Sequence, residues 1–165
     1  ASAGGRRHGL RGSAPATVGP VPDLDALPHW PEGTVAWLVT YGDASSAPHA
    51  IPVSTALRTG PRCVLLALSR RRGSLRRLRQ NPHVALAVIA PGVAFTAQGL
   101  AAVATEPLPG AQRAAAVTIN VARIQNHAHP TFVLDDGPRW HWTDEDARQA
   151  DAATRAALQA FAYRA

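Results

Sequence analysis

The stretch Val84-Ala85-Leu86-Ala87-Val88-Ile89-Ala90-Pro91-Gly92-Val93-Ala94-Phe95-Thr96-Ala97-Gln98-Gly99-Leu100-Ala101-Ala102-Val103-Ala104 decides the fold class. Val84 to Ala90 is an unbroken apolar run, short enough for a buried strand, and Pro91-Gly92 stops it. Val93 to Ala104 reads as a longer strand in which Gly99 marks a bulge or a barrel corner. The pattern extends upstream. Thr34 to Tyr41 is rich in β-branched and aromatic residues and ends at Gly42-Asp43, and His49 to Leu57 alternates loosely before Thr59-Gly60-Pro61. Arg62 to Leu68 is a further apolar run. Short strands divided by turns at this spacing predict a mainly β, antiparallel barrel or sandwich.

Helices punctuate this pattern. Between the third and fourth strands, Ser74 to Asn81 predicts a helix with Ser74 as N-cap, Leu75 and Leu78 facing inward and Pro82 as its stop. Downstream, a short helix is expected near Gly110–Ala115, then a strand from Val117 to Gln125. Pro130 to Leu134 and Arg139 to Trp142 read as a final hairpin turning at Asp135-Asp136-Gly137. The chain closes with a helix over about 144–162, capped by Thr143, with Asp144, Glu145 and Asp146 in its first turn. Ala147, Ala150, Thr154, Ala157, Leu158 and Phe161 predict its buried stripe.

Residues 1–22 carry Gly, Ser, Ala, Pro and three arginines (Arg6, Arg7, Arg11) without apolar periodicity, which predicts a disordered tail. Residues 23–165 then form one domain, with Leu24, Leu27 and Trp30 on a helical turn ending at Pro31. A chain of 165 residues with 46% hydrophobic content can build a core without disulfides or metals. Its single cysteine, Cys63, is expected as a buried structural thiol. No apolar stretch reaches the roughly 18–20 residues of a bilayer span, and no signal peptide is apparent, so the expectation is a cytoplasmic protein without membrane contact.

The net charge is +6, and all seventeen basic residues are arginine. Without lysine, Schiff-base chemistry with a carbonyl substrate or pyridoxal phosphate is excluded. Arginine remains the better bidentate phosphate ligand. The chemistry concentrates in Ser69-Arg70-Arg71-Arg72-Gly73-Ser74-Leu75-Arg76-Arg77-Leu78-Arg79. Arginines and hydroxyls surround a glycine directly before a helix N-terminus, where free N–H groups and the helix dipole favour an anion. A solvated basic face with an ordinary serine cap fits the same residues.

The order of features resembles the pyridoxamine 5′-phosphate oxidase-like family of flavin-binding split β-barrels. Gly33-Thr34-Val35-Ala36 followed by Ala47-Pro48-His49-Ala50-Ile51-Pro52-Val53-Ser54 is similar to the family's first hairpin. Leu75-Arg76-Arg77-Leu78-Arg79-Gln80-Asn81-Pro82-His83-Val84-Ala85-Leu86 is very like its helix and following strand. Gln98-Gly99-Leu100-Ala101 resembles its "G-x-A" strand, and Arg139-Trp140-His141-Trp142 its last strand. The resemblance implies a split β-barrel and a flavin-dependent oxidoreductase that passes hydride to or from a small organic substrate. It implies flavin mononucleotide (FMN) as cofactor and a homodimer with the cofactor site at the subunit interface.

The family's phosphate-contacting lysine falls on Ser74 here, so the resemblance passes the phosphate to Ser69, Arg70, Arg71, Arg72, Ser74 and Arg77. It places the flavin ring against Pro52, Val53, Ser54 and Thr55. No residue is singled out as a catalytic acid or base, and the family's substrate-phosphate residues have no counterpart, which argues against pyridoxamine phosphate itself. Three alternatives stay open. One is a deazaflavin coenzyme with an acidic tail, one a non-catalytic flavin or haem carrier or sensor, and one a nucleic-acid-binding module on the Arg-rich helix. Low aromatic content, 5%, weighs against the last. His127 and His129 share a strand face at metal-ligand spacing but lack a completing carboxylate or cysteine, so no metal is expected. His49 adjoins the presumed cofactor strand. Trp140 and Trp142 suit the core or a dimer interface, with cofactor stacking as the rival role.

Overall fold

The computed structural model describes residues 21–42 and 47–164. Among them, β1 (Ala36–Thr40), β2 (His49–Val53), β3 (Leu57–Gly60), β4 (Cys63–Ser69), β5 (His83–Ala90), β6 (Val93–Thr105) and β7 (Ala114–Asn126) form one antiparallel sheet, and α1 (Gly73–Gln80) and α2 (Glu145–Arg164) complete the fold. The strand order is β2-β1-β5-β6-β7-β4-β3. The protein is mainly β, and the sheet is not closed by hydrogen bonding between β2 and β3.

Alternation explains the core. Val84, Leu86, Val88 and Ala90 of β5 face inward, as do Ala36 and Leu38 of β1 and Val64, Leu66 and Leu68 of β4. All but Ala90 join Phe95 of β6 and Leu75 and Leu78 of α1 in one cluster, against which Trp30 packs with its ring centroid 5.6 Å from that of Phe95. Leu158 of α2 builds a second, smaller cluster with Leu65, Leu108 and Ala116 on the outer side of β4 and β7. The expected bulge at Gly99 is present, because the β6–β7 register shifts between Gln98 and Gly99. A Cβ there would lie 2.1 Å from the Asn120 carbonyl oxygen, so only glycine permits this approach.

Several expectations are corrected. The predicted strand His49 to Leu57 splits into β2 and β3, with Ser54 to Ala56 between them. No helix forms near Gly110–Ala115. A tight turn closes there through Ala111 N–H to the Leu108 carbonyl, 2.9 Å, and β7 begins at Ala114. Ala115, Ala116 and Val117 are buried against β4, and that ladder overrides the helix preference of alanine.

Residues 24–30 form no helical turn. Backbone bonds from Leu24 to Ile124 (2.8 Å) and from Leu27 to Pro61 (2.7 Å) anchor this segment on either side of a bend at Asp25 and Ala26. The terminal hairpin is also absent, since residues 130–142 pair in no ladder. That segment docks on the β5–β6 hairpin instead, through Gly92 N–H to the Leu134 carbonyl at 2.8 Å. Gly137 lies so close to Ile89 that an added Cβ would sit 2.5 Å from its carbonyl oxygen.

Two helix caps also differ. The N-cap of α1 is Arg72, without a side-chain cap bond, while Ser74 is buried inside the helix. For α2, the Asp144 carboxylate, and not Thr143, accepts from Ala147 N–H at 2.7 Å. Of the predicted stripe of α2, only Leu158 is fully buried, and Cys63 is half-buried. The predicted tail, with Arg6, Arg7 and Arg11, lies outside the described residues except for residues 21 and 22.

Candidate functional site

The two end strands of the sheet, β2 and β3, are joined directly by Ser54 to Ala56. Beyond β2, the Thr55 hydroxyl donates to the Ala67 carbonyl and accepts from the Ala67 N–H, each at 3.1 Å, which ties the β2 end to β4. A cleft of about 530 Å³ opens beside this seam. Ile51 to Thr55, Ala67 to Ser69 and residues 140–143 line it. Arg72 and Asp151 of α2 also line the cleft, Asp151 beside Ser54.

Part of the lining is aromatic. Trp140 and Trp142 stand edge to face with ring centroids 4.9 Å apart, 40% and 39% exposed respectively. Large apolar rings held at the mouth of a cleft offer a surface for a planar ligand. The same cleft carries a guanidinium. Arg72 sits where α1 begins, and that helix has neither a side-chain cap nor an acidic residue in its first turn. Its positive dipole end therefore adds to the guanidinium charge.

The structure gathers Pro52, Val53, Ser54, Thr55, Ser69 and Arg72 in this one cleft. The other predicted residues lie elsewhere. Arg70 and Arg71 line a second groove with Glu106, Gln112 and Arg113, which meets the cleft at Ser69. Arg70 Nε donates to Glu106 at 3.1 Å and its Nη1 to the Gln112 carbonyl at 3.2 Å, while Arg79 also pairs with Glu106. The hydrogen bond from Arg70, reinforced by the charges of both arginines, holds the Glu106 carboxyl below its ordinary range against a smaller opposing cost of burial.

Ser74 and Arg77 serve packing. Arg77 Nε donates to the buried Thr40 hydroxyl at 3.1 Å, which fastens α1 to β1, and Arg77 does not line the cleft. His49 begins β2 at the end remote from the cleft, opposite Thr40. His127 Nε2 lies 2.8 Å from the Thr96 hydroxyl, and His129 Nδ1 lies 2.7 Å from that of Thr131.

Sequence reasoning missed Asp151. Its Oδ1 accepts from the Ser54 hydroxyl at 3.0 Å, and its buried Oδ2 lies 2.6 Å from Arg155 Nη1 without good hydrogen-bond geometry. The i,i+4 spacing of Asp151 and Arg155 was visible, but that spacing reads as an ordinary surface pair.

Neither a family model nor a curated protein matches the chain. Solved structures do. The chain is similar to pyridoxamine 5′-phosphate oxidase-like proteins. A candidate pyridoxamine 5′-phosphate oxidase from Listeria innocua is 16% identical, with a TM-score of 0.48 over 57% of this chain and 88% of that one. An F420 reductase is 14% identical, with a TM-score of 0.48 over 56% and 90%. A haem-binding protein from Mycobacterium smegmatis is 17% identical, with a TM-score of 0.47 over 59% and 51%.

Proposed function

We propose that this chain binds FMN in the cleft between β2, β4 and the tryptophan pair, and acts as a flavin-dependent oxidoreductase on a small organic substrate. The observation that carries this reading is the joining of an apolar, aromatic slot to a guanidinium within one cleft. The residues present fit such a cofactor. Pro52, Val53 and the two indoles suit a planar ring, while Ser69, Arg72 and the start of α1 suit a phosphate. When bound, FMN supplies hydride transfer at its ring N5. The chain's own share is to orient the ring along β2, hold the phosphate and shield the slot from water with Trp140 and Trp142.

A deazaflavin coenzyme is the second reading. The groove holding Arg71 and Arg113 continues from the cleft at Ser69 and suits an acidic tail.

We also propose a homodimer. Trp37 and Ile89, each 45% exposed, share the outer face of β1 and β5, and Trp37 is paired in register with Pro52 of the cleft wall. A second copy seated there would border the site.

Reconstitution of the purified chain with FMN, deazaflavin coenzyme or haem tests the reading. FMN should remain bound at about one per chain after gel filtration. Retention of deazaflavin coenzyme alone would establish the second reading, and retention of haem alone would overturn both.

A further inference from the structure

The Ser54 hydroxyl stands on the cleft wall, yet its proton is already committed. It lies 3.0 Å from Asp151 Oδ1. The other oxygen of that carboxylate meets the Arg155 guanidinium at 2.6 Å, and the Asp151 side chain is only 10% exposed. A carboxylate held by a guanidinium can only accept, so Ser54 must be the donor of this bond. Arg155 is itself placed, since it reaches Glu32 at 4.0 Å and packs beneath Gly33. The Ser54 proton therefore points toward α2, and what the oxygen offers the cleft is lone pairs.

We infer that Ser54 is a specificity-determining acceptor, polarised by Asp151, that selects a ligand presenting an N–H group to this wall. The inference rests on the FMN reading above, and it names the group concerned: the imide N3–H at the pyrimidine end of the flavin ring. A ligand offering only an acceptor or a methyl group there meets lone pairs and loses the bond, leaving a polar group unsatisfied. Asp151 is a positioning residue, because it acts on the ligand through Ser54.

The test compares FMN with its N3-methyl analogue on the full chain, by fluorescence titration. The parent chain should bind FMN roughly 10-fold or more tightly than the analogue, as expected for one buried hydrogen bond and its penalty. Ser54→Ala, a minimal change in size, should bring the ratio close to one. Asp151→Ala frees the hydroxyl to turn and should shrink the ratio while Ser54 is still present, an effect that loss of packing alone would not produce. Equal affinity of the parent chain for both flavins overturns the inference and leaves the FMN reading standing. An unchanged ratio in Ser54→Ala does the same. Failure of the parent chain to bind either flavin overturns both.

Discussion

The hydroxyl of Thr55 extends the β3–β4 pairing to Ala67. It bonds both backbone groups of Ala67, donating to the carbonyl and accepting from the N–H at 3.1 Å each, where the β3–β4 ladder has run out. The chain runs from β2 at one end of the sheet to β3 at the other through Ser54 to Ala56, and this side chain carries the β3–β4 pairing one step further, beside the cleft. Thr55→Val keeps the shape and removes both bonds, leaving Ala67 groups without a partner. A loss of about 1–3 kcal/mol in unfolding free energy is expected by chemical denaturation. Unchanged stability would show that the seam is held by packing alone.

Gly99 and Gly137 should respond differently to alanine. At Gly99 the new Cβ meets the Asn120 carbonyl inside the β6–β7 ladder, where neither strand can move without breaking its pairing. Gly99→Ala should therefore cost about 2–4 kcal/mol, in the range of severe overpacking. At Gly137 the clash is with the Ile89 carbonyl, but residues 130–142 belong to no ladder and can shift. Gly137→Ala should leave the melting temperature nearly unchanged and alter the near-ultraviolet signal of Trp140 and Trp142. Equal effects at the two sites would contradict this division of the fold.

Acid stability should report Glu106. Its folded pKa is depressed, first by the hydrogen bond from Arg70, so its contribution is present at neutral pH and fades as pH falls through the folded value. Glu106→Gln should be less stable than the parent at pH 7, and the gap should close on acidification below the ordinary carboxylate range. A gap that stays constant across the titration would mean that the two arginines do not stabilise the folded state through this charge.

The outer sheet face gives a test of assembly. Trp37→Asp places a charge on the face proposed for a second copy, remote from the core, and should convert a dimer to a monomer in light scattering at micromolar concentration. FMN affinity should fall with it, because Pro52 lies beside Trp37. A parent chain that is already monomeric would remove the second copy from the account.

The strands were legible where burial and turn chemistry agreed. Val84 to Ala90, Pro91-Gly92 and the bulge at Gly99 all appear as the apolar run, the turn pair and the glycine placement predicted. The short helix was legible from Leu75, Leu78 and Pro82, although its cap was not, since Ser74 is used for packing. Residues 130–142 misled because their aromatics look like strand residues. They pack on the β5–β6 hairpin through single contacts that leave no period in the sequence. The site was legible in its local pieces, the β2 end and the Arg72 turn. It was not legible in its long-range partners. Nothing local brings Asp151 to Ser54, 97 residues away, and nothing distinguishes Arg72 in the cleft from Arg70 and Arg71 beside it.

The central claim is that a flavin phosphate lies at Arg72 in this cleft. Titration of FMN into the parent chain, Arg72→Ala and Arg71→Ala, followed by tryptophan fluorescence, tests it most directly. The account predicts quenching in the parent chain, affinity weakened about 10- to 100-fold in Arg72→Ala for the loss of a charged hydrogen bond, and little change in Arg71→Ala. Equal affinity of Arg72→Ala and the parent chain, or no quenching by FMN at all, would contradict it.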